Sequence, residues 1–308
     1  MAAPRRKCAR PVVLACDATY QPAAIVCLTS LYLNSPDVEF TTFVVTDAPG
    51  GPLGQATGKL SAIYSRDIKI AAIGANALEQ FATSLGPVGG PSYISRAAFL
   101  RLALPELLPD DSFLYLDCDM VVQESVAALL DLDLGDRLVA GATDGLAAAS
   151  GHKHLRFAAD EPYLNTGVLV VNARGWRQEG SFKRIMEICR AHRGRLGAAD
   201  QDIVNLFCQG RKILLERRWN TLQHDYLFSG DWSGFDPETF RGIFHFCSEI
   251  KPWMVWSPEP PSSFYRRYAE VAPWRMPEVA EPRNERERKV LDMSRQRDAI
   301  RAAAQRSI

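Results

Sequence analysis

A chain of 308 residues with 36 basic and 36 acidic side chains has no formal net charge, which removes any whole-molecule electrostatic case for a nucleic-acid partner. At 47% hydrophobic residues it can bury a full core without cross-links, and its seven cysteines, odd in number and lacking a C-x-x-C pair, argue against a secreted disulfide framework or a zinc ribbon. No apolar run approaches membrane-spanning length, and the run from Pro11 to Cys16 is too short for a signal peptide and ends at Asp17, so a cytoplasmic protein is expected.

Pro11 to Cys16 reads as a buried first strand, followed by a helix over Gln21 to Asn34 with Pro22 in its first turn and Ile25, Leu28, Leu31 and Tyr32 on one side. Phe40 to Thr46 is a second strand, Gln55 to Tyr64 a weak helix and Ile68 to Ile73 a third strand. This alternation predicts an α/β fold with a doubly wound, mostly parallel sheet. CDATYQP after the first strand carries no G-x-G-x-x-G, so a dinucleotide fingerprint is absent. Ser95 to Leu108 reads as a helix that Pro105 breaks.

Within Phe113 to Val122, FLYLDCDMVV, the four mostly apolar residues FLYL read as a buried strand that ends by running into two carboxylates one residue apart. Alternate residues on an extended segment point the same way, so Asp117 and Asp119 can converge on one hard cation while Cys118 points elsewhere. The same spacing also suits a turn or helix-cap device, and spacing alone does not separate the two uses.

Further on, Val126 to Leu130 reads as a short helix and Leu138 to Ala142 as a strand leading to Asp144. Gly145 to Asp160 is a loop whose His152 and His154 read as surface histidines. Tyr163 to Asn172 is a strand with Asn165, Thr166 and Gly167 at its mouth. Trp176 to His192 is one amphipathic helix, and Asp200 caps another that runs to Gln209. Ile213 to Leu215 and Ile243 to Phe246 are short strands, the latter entering HFCSEIKPW. Composition then turns Pro-rich and, from Arg283, helical and basic, which divides the chain into 1–260 and a tail, 261–308.

Taken in order, ACDATY, SRAAFLRL, LYLDCDMVV, YLNTGVLVVN, ADQDIVN and HFCSEIKPW resemble segments of the family 8 glycosyltransferases, which include bacterial lipopolysaccharide galactosyl- and glucosyltransferases and glycogenin. The resemblance covers about residues 11 to 256. It implies a GT-A fold and retaining transfer of a hexose from a UDP-sugar, with Mn²⁺ or Mg²⁺, to a saccharide or lipid-linked acceptor.

Carried over by position, it implies Asp117, Asp119 and His245 as metal ligands and Lys251 on the diphosphate. Arg101 and Cys118 then belong to the donor site. Ala15, Asp17, Thr19 and Tyr20 hold the nucleoside, Asp17 accepting from uracil or ribose and Tyr20 stacking on the base. Asp144, Asn165, Thr166 and Gly167 line the hexose, and Gln201 and Asp202 lie beneath the donor carbon; first-turn residues of an ordinary helix fit Gln201 and Asp202 as well. Ser248 stands where the family usually has Gly, a departure expected to tighten or re-angle the phosphate pocket.

A strand followed by DxDxV also describes the nucleophile motif of haloacid-dehalogenase-like phosphatases, although a complete α/β half precedes it here. A non-catalytic sugar-nucleotide-binding protein is the third reading. The basic tail is compatible with peripheral contact to the inner membrane face or with packing on its own domain.

Overall fold

Strand β1 (Val12–Cys16) lies inside a sheet because it is apolar on both faces, Val12, Leu14 and Cys16 entering one core and Val13 and Ala15 the other. The computed structural model describes residues 6–295 apart from 9, 74–82, 84–98, 146–154, 156, 158–159, 230–231, 233, 258–259, 286, 290 and 293–294. From β1 the chain continues through α1 (Gln21–Asn34), β2 (Thr41–Thr46), α2 (Pro52–Tyr64), β3 (Asp67–Ala72), α3 (Leu100–Leu107) and β4 (Phe113–Leu116). After β5 (Met120–Val122) and α4 (Ala127–Leu130) come β6 (Val139–Thr143) and β7 (Leu164–Val171). The seventh strand of the large sheet is β8 (Lys212–Leu214), and the spatial order is β8-β6-β7-β4-β1-β2-β3. Only β7 runs against its neighbours, so the sheet is mostly parallel, as the alternation predicts.

In FLYLDCDMVV, β4 ends before Asp117, as expected, and a second strand, β5, follows Asp119. β4 belongs to the large sheet; β5 belongs to a small sheet, where it pairs antiparallel with β10 (Ile243–His245), which in turn pairs with β9 (Thr221–Leu222). Asp117, Cys118 and Asp119 occupy the step between the sheets. Their backbone is pinned from both sides: Asp117 N–H donates to Gly167 O at 2.8 Å, and Asp119 O accepts from Phe246 N–H at 2.9 Å.

Three helix expectations need correction. Trp176 to His192 is two helices, α5 (Ala173–Gln178) and α6 (Ser181–Ala191), separated at Gly180, whose φ of 64° is left-handed and stops the first. Pro105 does not break α3; the helix carries it through the last turn, and Arg177 donates to its carbonyl at 2.7 Å. Asp200 is the first residue of α7 (Asp200–Phe207), not its cap; Ala199 holds that position, and the Asp200 carboxylate pairs with Arg101 instead. His152, His154 and residues 95–98 of the expected helix lie outside the described residues, as does most of the basic tail.

The composition change near 260 falls at the start of α9 (Pro261–Val271), which packs on α1 and β5. Phe264, Tyr265 and Tyr268 enter the larger core, where Phe264 meets Phe235, Phe240 and Phe244 edge-on. Tyr268 also donates to Gln123 at 2.8 Å and accepts from Asn34 at 2.9 Å. This helix therefore backs β5, the strand that follows Asp119. Phe264→Ala should cost roughly 3–5 kcal/mol of unfolding free energy, read as a lowered urea midpoint at unchanged slope; an unchanged midpoint would contradict the packing.

Candidate active site

The two aspartates sit where a buried strand ends, and each is met by a cation of the chain itself. Arg101 on α3 reaches Asp117 Oδ1 at 2.9 Å, Asp200 at 2.7 Å and the backbone and side-chain oxygens of Thr166 at 2.6 and 2.9 Å, with its guanidinium over the Tyr115 ring. Tyr115 donates to the same Asp117 oxygen at 2.6 Å. Buried Lys251 donates to Asp119 Oδ2 at 2.5 Å and to Phe246 O at 2.7 Å.

That arrangement uses one oxygen of each carboxylate and turns the other toward His245. His245 Nε2 lies 3.7 Å from Asp117 Oδ2 and 3.4 Å from Asp119 Oδ1, and the three ligand atoms of this group lie within 4.8 Å of one another. Two carboxylate oxygens and an imidazole nitrogen form a donor set that suits Mn²⁺ and also accepts Mg²⁺. The residues therefore fit a divalent cation. Burial works against charge on Asp119, yet Lys251 and His245 hold its carboxyl well below the usual range; burial likewise opposes the His245 imidazolium, which the two aspartates favour. The ring is also wedged in place, because a Cβ on Gly167 would lie 2.3 Å from His245 Cε1 and 2.6 Å from the Met120 methyl.

A second polar group adjoins this one. Asp144 Oδ2 accepts from Asn165 at 3.1 Å and from Gln201 at 3.2 Å, while the Gln201 carbonyl oxygen accepts from Thr166 N–H at 3.2 Å. Through Thr166 and Arg101, Gln201 is tied back to Asp117. The structure thus brings together Arg101, Asp117, Asp119, Asp144, Asn165, Thr166, Gly167, Gln201, His245 and Lys251 of the sequence-derived set.

The remaining members of that set make other contacts. Asp202 is fully buried, its oxygens taking Tyr163 O–H at 2.6 Å and Ala198 N–H at 2.9 Å, so it fastens the start of α7 to the β7 entry. Cys118 turns its thiol to Ala15 O at 3.4 Å. Asp17 spends one oxygen on the backbone N–H groups of Thr19 and Tyr20, at 2.9 and 3.1 Å, shaping the turn into α1. Tyr20 packs edge-on against Trp253, and Thr19 is exposed.

Asn220, Gln223, His224 and Cys247 were missed by sequence reasoning. Asn220 Oδ1 lies 3.1 Å from His245 Nδ1. His224, at the start of α8 (Gln223–Ser229), has Nε2 3.6 Å from Asp144 Oδ1 and Nδ1 3.2 Å from Cys247 Sγ. Ser248 donates to Gln223 at 2.7 Å, so the hydroxyl at the expected glycine position ties the Lys251 loop to α8. The only available sequence signal was HFCSEIKPW, which drew attention to His245, Ser248 and Lys251 but not to Cys247; RRWNTLQH carries no recognisable spacing.

Comparison with known proteins follows the same outline. The family described as Glycosyl transferase family 8 matches residues 11–257. Lipopolysaccharide 1,2-glucosyltransferase of Escherichia coli (strain K12) is 23% identical over 272 residues, covering 84% of this chain and 77% of its own length. Lipopolysaccharide 1,3-galactosyltransferase of Salmonella typhimurium is 24% identical over 258 residues, covering 81% and 74%. A solved structure of galactosyltransferase LgtC with donor and acceptor sugar analogues superposes with a TM-score of 0.74 at 24% identity, covering 89% of this chain and 98% of that one. The shared fold is GT-A.

The His224 cluster generates a pH test. Although burial opposes the charge, Asp144 and Cys247 raise the His224 pKa to about 10. A histidine raised on folding adds stability that is full below its unfolded value of about 6.5 and is lost as pH rises through the folded value. Wild-type protein should therefore lose its stability advantage over His224→Gln between about pH 6.5 and 10, measured by denaturation at stepped pH. A constant difference across that window would show that His224 is neutral.

Proposed function

Because this chain belongs to glycosyl transferase family 8, we propose that it transfers galactose or glucose from a UDP-hexose to a saccharide or lipid-linked acceptor with retention of configuration. The acceptor class follows the lipopolysaccharide enzymes to which it is similar. The observation that carries the reading is the convergence of Asp117 Oδ2, Asp119 Oδ1 and His245 Nε2 beside Lys251 and Arg101. When bound there, Mn²⁺ or Mg²⁺ supplies the positive charge that a departing nucleoside diphosphate requires.

The chain's own residues supply the rest. Lys251, on the loop after β10 that Ser248 clasps to α8, adds a second positive charge next to the diphosphate position. Arg101 holds Asp117 and Thr166 in one rigid unit, so the metal corner and the sugar corner keep their spacing. Gln201, bound at both ends, presents a fixed amide dipole beneath the reacting carbon and steadies its positive charge. Tyr20 offers a ring face to the base, and the second oxygen of Asp17 accepts from uracil or ribose.

Retention is supported by how the nearby acids are used. Back-face attack needs a carboxylate base, but Asp144 already receives Asn165 and Gln201, Asp202 receives Tyr163 and Ala198, and Asp200 is paired with Arg101. Front-face attack, with the leaving phosphate taking the acceptor proton, needs none of them. The phosphatase reading is set aside by the family match, and by Asp117, whose Oδ1 is held by Arg101 and Tyr115.

We place the reaction in the cytoplasm, with the tail touching the inner membrane face where lipid-linked acceptors lie. No helix among the described residues is long and apolar enough to cross a membrane. The test is proton NMR of UDP-galactose and UDP-glucose incubated with the protein and a divalent metal. UDP release should stop on chelation and fall on the order of 10²-fold or more in Asp119→Asn, and the first sugar released should be the α anomer. Undiminished release in chelator would sink the metal role; an initial β product would sink retention.

A further inference from the structure

Donor and acceptor roles along one buried chain of side chains fix which nitrogen of His245 faces the metal corner. The chain has two ends that admit no ambiguity. Asp144 is a carboxylate and accepts only; the Gly167 backbone N–H donates only.

Asn165 lies between them. Its side chain meets Asp144 Oδ2 at 3.1 Å and Gly167 N at 3.0 Å, so its NH₂ must face Asp144 and its carbonyl must face Gly167. Turning this amide over would oppose two acceptors at one end and two donors at the other. Both contacts demand the same orientation. The oxygen fixed in this way also faces Asn220, 2.8 Å away, and Asn220 must therefore present its NH₂ to Asn165. Its carbonyl is left for His245 Nδ1 at 3.1 Å. A carbonyl cannot donate, so Nδ1 carries the proton, and in the neutral imidazole the lone pair is on Nε2, which faces Asp117 and Asp119.

We propose that Asn220, oriented by Asn165 and ultimately by Asp144, is the positioning residue that sets the His245 tautomer for metal binding. Asn220, Asn165 and His245 are all buried, so water does not compete for these contacts. Gly167 contributes twice, through its N–H and through the missing Cβ that leaves room for the ring. The inference rests on the metal reading above, and it adds a consequence: the residue that bridges Gln201 and Asn165 at the sugar corner also determines how the metal corner is built.

The experiment uses full-length protein carrying ¹⁵N-labelled histidine, with the five histidines assigned by substitution. Long-range ¹H–¹⁵N correlation at a pH alkaline enough to neutralise the imidazole reads the tautomer, and calorimetry with Mn²⁺ reads affinity. Wild-type His245 should be the Nδ1–H form. Asn220→Leu, similar in size but unable to accept, should shift the tautomer and weaken Mn²⁺ binding about 10–100-fold, while Asn220→Asp, which loses the NH₂ that faces Asn165 but still accepts from Nδ1–H, should keep the tautomer.

A wild-type Nε2–H form overturns the proposal, and so does an Asn220→Leu protein with wild-type tautomer and affinity. Should Asn220→Leu fail to fold, the wild-type and Asn220→Asp spectra still decide. Wild-type protein that binds no Mn²⁺ but shows the expected tautomer would defeat the metal reading and leave the side-chain chain intact.

Discussion

Two carboxylates at the end of a buried strand have to be compensated before any chemistry can be built on them. Removing an ionised group from water costs several kcal/mol even after relaxation, and here Asp119 is buried while Asp117 is largely so. Arg101 and Lys251 answer that cost from opposite sides, each taking one oxygen of one aspartate. The division matters more than the pairing. It leaves one oxygen of each carboxylate turned toward His245, so the demand for charge balance and the demand for an open cation position are met by the same geometry.

The fold explains how those groups are delivered. β4 and β5 are consecutive in sequence but belong to different sheets, and the step between them puts Asp117 against β7 and Asp119 against β10. β7 brings Asn165 to Gly167, and β10 brings His245. α9 then packs behind β5, closing the small sheet with aromatic rings. A site at the carboxyl ends of strands, where the sheet changes direction, is what an open α/β architecture provides.

Much of this was legible because buried parallel strands are continuous apolar runs: Val12–Cys16, Thr41–Thr46 and Leu164–Val171 announce themselves. The aspartates were legible as a pair at a strand end, and His245 only through the ordered family segments. Local patterning failed where tertiary contacts override it. The amphipathic pattern from Trp176 onward runs unbroken across Gly180, yet the backbone there is left-handed. Asp200 has the composition of a cap, but a buried arginine from α3 claims it. Asp202 reads as a first-turn acid and is instead a fully buried fastening for Tyr163. Asn220 and His224 lie in short helical segments and Cys247 in a loop, and only the chain's path through the small sheet brings them to Asp144 and His245.

The central claim is that the leftover oxygens of Asp117 and Asp119 and the Nε2 of His245 hold one divalent cation against a nucleoside diphosphate. Crystals soaked with Mn²⁺ and UDP, measured at the manganese edge, test it most directly. The account predicts a single strong anomalous peak at about 2.0–2.2 Å from Asp117 Oδ2, Asp119 Oδ1 and His245 Nε2, shared with both phosphates of UDP, with Arg101 still on Asp117 Oδ1. UDP bound with no peak at that position, or a peak ligated by other residues, would contradict it.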